Sequence, residues 1–286
     1  MIPRLQYTLK LHDRELILGQ RTLIMGILNI TPDSFSDGGL FFDHKKALKQ
    51  AHAMIEEGAD IIDVGGESTR PQSEPVTCDD EIERVIPVIK QLRKETNVPI
   101  SIDTYKSEVA KRALDCGAHI VNDISGLNFD SNMAHVISEY NASVVVMHIK
   151  GTPSNMQKNP VYTDLIGEIR SFFKNSLQLA MNAAIPKERC ILDVGIGFGK
   201  TTFHNLELIK RLGEFHDIGC PILIGLSRKS FIGNVLDLPV DQRLEGTAAG
   251  VTTSILHGAH IVRVHDVGFM GRVARMTDAF LIPENY

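Results

Sequence analysis

Apolar residues fall along the chain in short β-branched blocks, each followed by a longer stretch in which they recur every three to four positions. The blocks predict strands and the longer stretches predict helices. Strands are expected at 23–30, 61–65, 99–103, 120–123, 143–147, 190–194, 221–225 and 261–264. Segments such as "SVVVM" and "ILIGL" are apolar at nearly every position, the pattern of parallel strands covered on both faces. The clearest helices are expected at 45–57, 79–96, 108–116, 164–184 and 243–257, and Gly58, Gly117 and Gly258 stand where a left-handed residue ends a helix. Eight strands alternating with helices predict an α/β chain folded as a (β/α)8 TIM barrel. Ahead of them, "YTLKLHDRELILG" alternates about a turn at 12–14 and predicts a short N-terminal β-hairpin capping the barrel's bottom. No linker or internal repeat divides the 286 residues, so one domain over 1–286 is expected.

Nearly every strand finishes in a polar or glycine-rich cluster. In order these are Asn29 with "TPDSFSDGG", "DVGGESTRP", "SIDTYK", "NDISG", "MHIKGTP", "LDVGIGFGK", "GLSRKSF" and "RVHD". The C-terminal ends of barrel strands meet at one face, so these clusters would assemble a single funnel. Any one Asp, Asn or Ser among them serves equally well as a cap on the following helix. Eight in register point to an enzyme.

Composition narrows the partners. With 43% hydrophobic and 23% charged residues the chain has material for a globular core rather than disorder. Thirty Lys and Arg against thirty-five Asp and Glu leave a net charge of -5, so no overall basic field draws it to nucleic acid or an anionic membrane, and any anion must be held by a local cluster. Cys78, Cys116, Cys190 and Cys220 form no C-x-x-C pair and suit a reducing compartment. No signal peptide or apolar run of about 20 residues is evident, and a cytoplasmic protein is expected. "GIGFGKT" is a false phosphate loop, because the first glycine of that motif would fall on Val194. Residues for a zinc protease, a Rossmann enzyme or a serine hydrolase are not found.

The segments "MGILNITPDSFSDGG", "DVGGESTRP", "SIDTYK", "GIGFGK", "GLSRKSFIG" and "RVHDV", in this order from Met25 to Val267, closely resemble the dihydropteroate synthase family. That resemblance implies a (β/α)8 barrel. It also implies condensation of 6-hydroxymethyl-7,8-dihydropterin pyrophosphate with p-aminobenzoate, magnesium as cofactor, and a homodimer, with the last helices as a candidate interface. Three positions depart from the family pattern: Val194 replaces a frequent Pro, Gln72 replaces Gly, and "MHIKG" replaces a Met-His-Met form.

A pterin offers its 2-amino group and ring N3–H side by side, which one carboxylate accepts in a bidentate way. Asp193, ending the sixth strand, is the candidate. The resemblance adds Asp103 and Asn122 on the remaining ring edge, Lys229 on the ring carbonyl or N5, and Met147 in the same pocket; Asp103 or Asn122 alone would serve as turn caps. Arg263 and His265, just before a helix expected near Val267, suit pyrophosphate, although His265 by itself also reads as a core imidazole. By resemblance Asn29 is a magnesium ligand. Phe35, Asp37, Thr69, Arg70 and Pro71 belong to two loops expected to close over the site. Phe198, Lys229 and Ser230 form the opposite wall of the p-aminobenzoate pocket, with Phe198 alternatively plain core. The aniline is already nucleophilic, so catalysis should rest on the departing charge, with Lys229, Arg263, His265 and Asp37 as candidates in a dissociative, SN1-like path. Two rivals remain: a pterin-binding methyltransferase of the same superfamily and a non-catalytic pterin binder.

Overall fold

A computed structural model of the chain describes residues 4–30, 40–69 and 75–283. It opens with the antiparallel hairpin of β1 (Tyr7–Lys10) and β2 (Glu15–Leu18), in which Tyr7 faces Leu18 and Lys10 faces Glu15. Eight parallel strands follow: β3 (Leu23–Asn29), β4 (Ile61–Gly65), β5 (Ile100–Asp103), β6 (Ile120–Asp123), β7 (Ser143–Met147), β8 (Cys190–Asp193), β9 (Ile222–Gly225) and β10 (Ile261–Val264). They pair in sequence order, and β10 closes on β3, with Ile261 opposite Leu23 and Val264 opposite Gly26. The expected strands are all present, with ends differing by at most one residue.

Helices α1 (Leu40–Glu56), α2 (Cys78–Glu95), α3 (Ser107–Asp115), α4 (Met133–Glu139), α5 (Leu165–Asn182), α6 (Thr202–Lys210), α7 (Ser230–Leu236), α8 (Leu244–Leu256) and α9 (Val267–Leu281) fill the crossovers. The five expected helices are among them. Short α4 and α6 were not singled out, having too few turns for a clear period. The four cysteines are free. No helix among the described residues is long and apolar enough to cross a membrane.

The core divides at the strand wall. Outward-facing residues such as Ile24, Leu28, Ile62 and Val64 pack against the helices, and Val194 joins them fully buried, so the departure from Pro costs no packing there. Inward-facing Met25, Ile61, Ile120, Val145, Ile191, Leu223 and Ile261 form a second cluster with Leu9, Leu11 and Leu18 of the hairpin. The hairpin is therefore the barrel's lower plug.

Strand side chains alternate between faces, so the next inward layer lies two residues further along each strand. Above Ile61, Ile120, Val145, Ile191, Leu223 and Ile261 come Asp63, Asn122, Met147, Asp193, Gly225 and Arg263. The barrel changes from dry to charged within one step, at the end where the loops converge.

Candidate active site

Arg263 of β10 spans the charged layer. Its Nε donates to Asp63 Oδ2 at 2.6 Å and its Nη2 to Asp103 Oδ2 at 2.5 Å, while Asn122 Nδ2 donates to Asp63 Oδ2 at 3.0 Å. Asp63 Oδ1 and Asp103 Oδ1 are buried with no hydrogen-bond partner among the described residues. One guanidinium thus balances two carboxylates and leaves an acceptor open on each, an arrangement that is costly unless a ligand brings donors. Burial pushes the Asp103 carboxyl up to about 7, against the pull of Arg263. Burial also disfavours the guanidinium charge, but the two carboxylates outweigh it and Arg263 shifts upward.

Asp193 ends β8 beside this group, 5% exposed, with Oδ1 accepting from Gly195 N at 2.8 Å. Burial raises its carboxyl, and Lys229, Arg263 and Lys200 oppose that rise. Lys229 caps the start of α7, donates to the Ile196 carbonyl, and holds its Nζ 4.6 Å from the centre of the Phe198 ring. Burial lowers its ammonium to about 8, less than it would without Asp193. Met147, the last residue of β7, pairs with Asp193 and is buried. Phe198 is half-buried, and its ring faces the Lys229 ammonium.

The loops after β9 and β10 are laced together. Ser227 Oγ lies 3.0 Å from His265 Nδ1, so His265 is not a core imidazole tied to backbone alone. Arg228 adopts a left-handed φ of 56° and makes a bidentate pair with Asp266, at 2.9 and 2.6 Å. A side chain in that region is strained, and the ion pair with Arg228 N–H donation to Thr247 Oγ1 at 3.0 Å holds it there. Lys229 and Ser230, the first residue of α7, follow directly.

Next to β10, Asn29 ends β3 in register with Gly65. A Cβ on Gly65 would lie 3.6 Å from Asn29 Oδ1, 3.5 Å from Asp103 Cβ and 3.7 Å from Asp103 Oδ2. The missing side chain leaves a notch beside the Asn29 amide oxygen, a ligand type that a hard cation such as magnesium takes, while Asp103 Oδ2 on the same notch already accepts from Arg263. Thr69 is half-buried at the end of the segment after β4, and Phe35, Asp37, Arg70, Pro71 and Gln72 lie outside the described residues.

Comparison with known proteins decides between the pterin readings. The profile of the pterin binding enzyme family matches residues 25–265. A dihydropteroate synthase of a Synechocystis species is 49% identical over 262 residues, covering 91% of this chain and 91% of the relative. The dihydropteroate synthase of Bacillus subtilis is also 49% identical, covering 92% and 90%. The chain belongs to the dihydropteroate synthase family. A crystal structure of the dihydropteroate synthase of Clostridium difficile, obtained in the presence of pteroic acid, superposes with a TM-score of 0.88 at 51% identity, over 92% of this chain and 98% of that one.

Within that family frame, the structure adds residues that sequence reasoning passed over. Asp63, which orients Arg263, was quoted in "DVGGESTRP" but given no role. Its signal was present: an inward-parity Asp in the otherwise apolar "IIDVG" has to face a partner inside the barrel. Ser227, Arg228 and Asp266 carried no such signal, because their pairing joins two loops far apart in sequence.

Proposed function

We propose that the chain, as a dihydropteroate synthase of folate biosynthesis, divides its reaction between the charged layer and the loops above it. The carrying observation is the cluster of Asp193, Asn122, Asp103 and Lys229 around Arg263, with a carboxylate oxygen left open at Asp63 and Asp103. Asp193 accepts the 2-amino and N3–H donors of the dihydropterin, Asp103 and Asn122 take its remaining polar edge, and Lys229 donates to the ring carbonyl or N5. Met147 lies against the ring.

Arg263 and His265 meet the pyrophosphate, aided by the N-terminus of the fifteen-residue α9 immediately beyond. Magnesium fits at Asn29, where it would supply positive charge to the leaving oxygens. The bond from the pterin methylene to pyrophosphate oxygen breaks, and its electron pair leaves with the pyrophosphate. The aniline nitrogen of p-aminobenzoate then bonds to the methylene and gives up a proton to water. Heterolysis puts negative charge on the pyrophosphate and an equal positive charge on the pterin methylene, and Arg263, His265 and Lys229 carry the acceleration at the leaving anion in this dissociative path. Asp37, a carboxylate, would serve the cationic methylene rather than the leaving anion, and Phe35, Thr69, Arg70 and Pro71 with Phe198 and Ser230 build the p-aminobenzoate pocket and exclude water.

One domain over 1–286, a cytoplasmic location and a homodimer complete the proposal. Exposed Phe269, Met276 and Phe280, spaced along one face of α9, support self-association, and the net charge of -5 argues against nucleic acid as partner. The test supplies dihydropterin pyrophosphate and magnesium with and without p-aminobenzoate. Dihydropteroate forming in step with pyrophosphate only when p-aminobenzoate is present is the expected result. Pterin binding without product overturns the reading in favour of a non-catalytic binder.

A further inference from the structure

Lys200 is a charged side chain without a part in the reaction above, and it is 3% exposed. It closes the loop after β8 and reaches back beneath that loop. Its Nζ lies 2.9 Å from His148 Nδ1, 3.0 Å from the Phe198 carbonyl and 3.4 Å from the His148 carbonyl. An ammonium has three N–H donors and no acceptor, and three acceptors surround this one. With Nδ1 accepting, the hydrogen of His148 sits on Nε2, and the ring packs edge-on against Phe172 at 4.8 Å.

The loop is pressed down onto this cation. Gly195, at a φ of +67°, approaches so closely that a Cβ there would lie 1.9 Å from the His148 carbonyl oxygen and 3.5 Å from Lys200 Nζ. The same few residues touch both halves of the pterin site, since Gly195 N–H binds Asp193 and the Ile196 carbonyl receives Lys229.

We propose that Lys200 is a positioning residue whose buried ammonium rivets the loop after β8 to the end of β7 and keeps a positive charge behind Asp193, so that this carboxylate stays ionised for the pterin edge. The proposal rests on Asp193 being the pterin carboxylate. The cations facing Asp193 are Lys229 at the start of α7, Arg263 on β10 and Lys200. Lys200 itself faces Asp193, Lys229, Lys150, His148 and His204; burial pushes its amine well below the ordinary lysine value, and Asp193 together with the acceptors around Nζ opposes that fall. Burial drives the Asp193 carboxyl upward and those three cations hold it down, so removing one lets it rise.

The experiment follows binding of 6-hydroxymethyl-7,8-dihydropterin, without its pyrophosphate, by calorimetry from pH 5 to 9. Lys200→Gln keeps hydrogen-bond donors but no charge, and Lys200→Met keeps neither. In both, the pH at which binding is lost on acidification is expected to move up by about one unit. Lys200→Met is also expected to bind about tenfold more weakly at its plateau, the equivalent of one such unit. Folded variants with an unmoved acid midpoint overturn the role of Lys200 while leaving the pterin site intact. A wild-type protein that binds no dihydropterin overturns both readings. Should neither variant fold, His148→Phe removes one acceptor and keeps a ring against Phe172; it is expected to shift the midpoint the same way, and no shift overturns the proposal.

Discussion

At the bottom of the barrel His119 and His260 are as deeply buried as Asp63 and Asp193 are near the top, but they are held in a different electrical state. Each histidine precedes a strand and accepts, at Nδ1, the first N–H of the strand before: Ile100 N to His119 and Ile222 N to His260, both at 3.1 Å. The hydrogen of each ring therefore sits on Nε2. His260 Nε2 donates to the Leu5 carbonyl at 3.0 Å, whereas His119 Nε2, 3.5 Å from Asp13 of the hairpin turn, makes no hydrogen bond among the described residues. These rings are neutral fasteners for the lower plug, and burial lowers both to about 4. His12, Asp13 and His119 bring ligand atoms within 4.8 Å of one another, but the lone pair a metal would take from His119 is already given to Ile100 N–H. The top instead keeps formal charges, with carboxylate oxygens left open. Burial that ends in a closed hydrogen bond contributes stability, whereas burial that leaves an acceptor open marks a place for a ligand.

The strongest way to break this contrast is Arg263→Met. It leaves two buried carboxylates without their counter-charge, a change that costs about 3–5 kcal/mol of stability when one partner of a buried pair is removed. Activity should fall by about 1000-fold or more, the scale of a lost transition-state cation. Adding Asp63→Asn should return part of the stability, read by denaturant melts, and none of the activity. Recovery of activity in the double variant would contradict the assignment of Arg263 to the pyrophosphate.

Lys229 sharpens the contrast through pH. Its folded pKa of about 8 lies below the ordinary lysine value, so the cost of burying the ammonium is present below pH 8 and is relieved as pH rises toward the unfolded value. The fold should gain stability from this residue over the interval in which kcat/KM declines for want of a donor. Lys229→Met should remove the gain and flatten the decline. Two curves moving in parallel would show that the lysine serves packing alone.

The histidines behave in the opposite sense. Their folded values are depressed, so their contribution is present above the ordinary histidine value and disappears as pH falls toward about 4. His260→Asn should cost about 1–2 kcal/mol near pH 7, less at pH 4, and leave kcat of the folded protein unchanged. The smallest effect is expected from Ser227→Ala, which removes one partner of His265 Nδ1 and should lower kcat/KM by about 3–10-fold with stability unmoved.

How much of this was legible in the sequence follows from the same two ends. Strand blocks such as "SVVVM" and the hairpin alternation carry their own signal, and the barrel strands emerged within a residue of expectation, whereas α1 begins at Leu40 rather than at 45. Asp193 and Arg263 were singled out as polar residues at the ends of apolar strands, which converge at one barrel face, whereas Asp103, Asn122 and Lys229 entered through the family resemblance. Lys200 was quoted inside "GIGFGK" but not understood, because its partners, His148 and Phe198, are set by how two loops fold on each other. His119 and His260 gave no sign, since a histidine before a strand looks like any loop residue until its ring nitrogens have partners.

The most direct measurement is a crystal structure with 6-hydroxymethyl-7,8-dihydropterin bound. The account predicts the pterin against Met147, its 2-amino group and N3–H on Asp193, and a donor brought to the open oxygen of Asp103. A pterin bound elsewhere, or one that leaves Asp193 without contact, contradicts it.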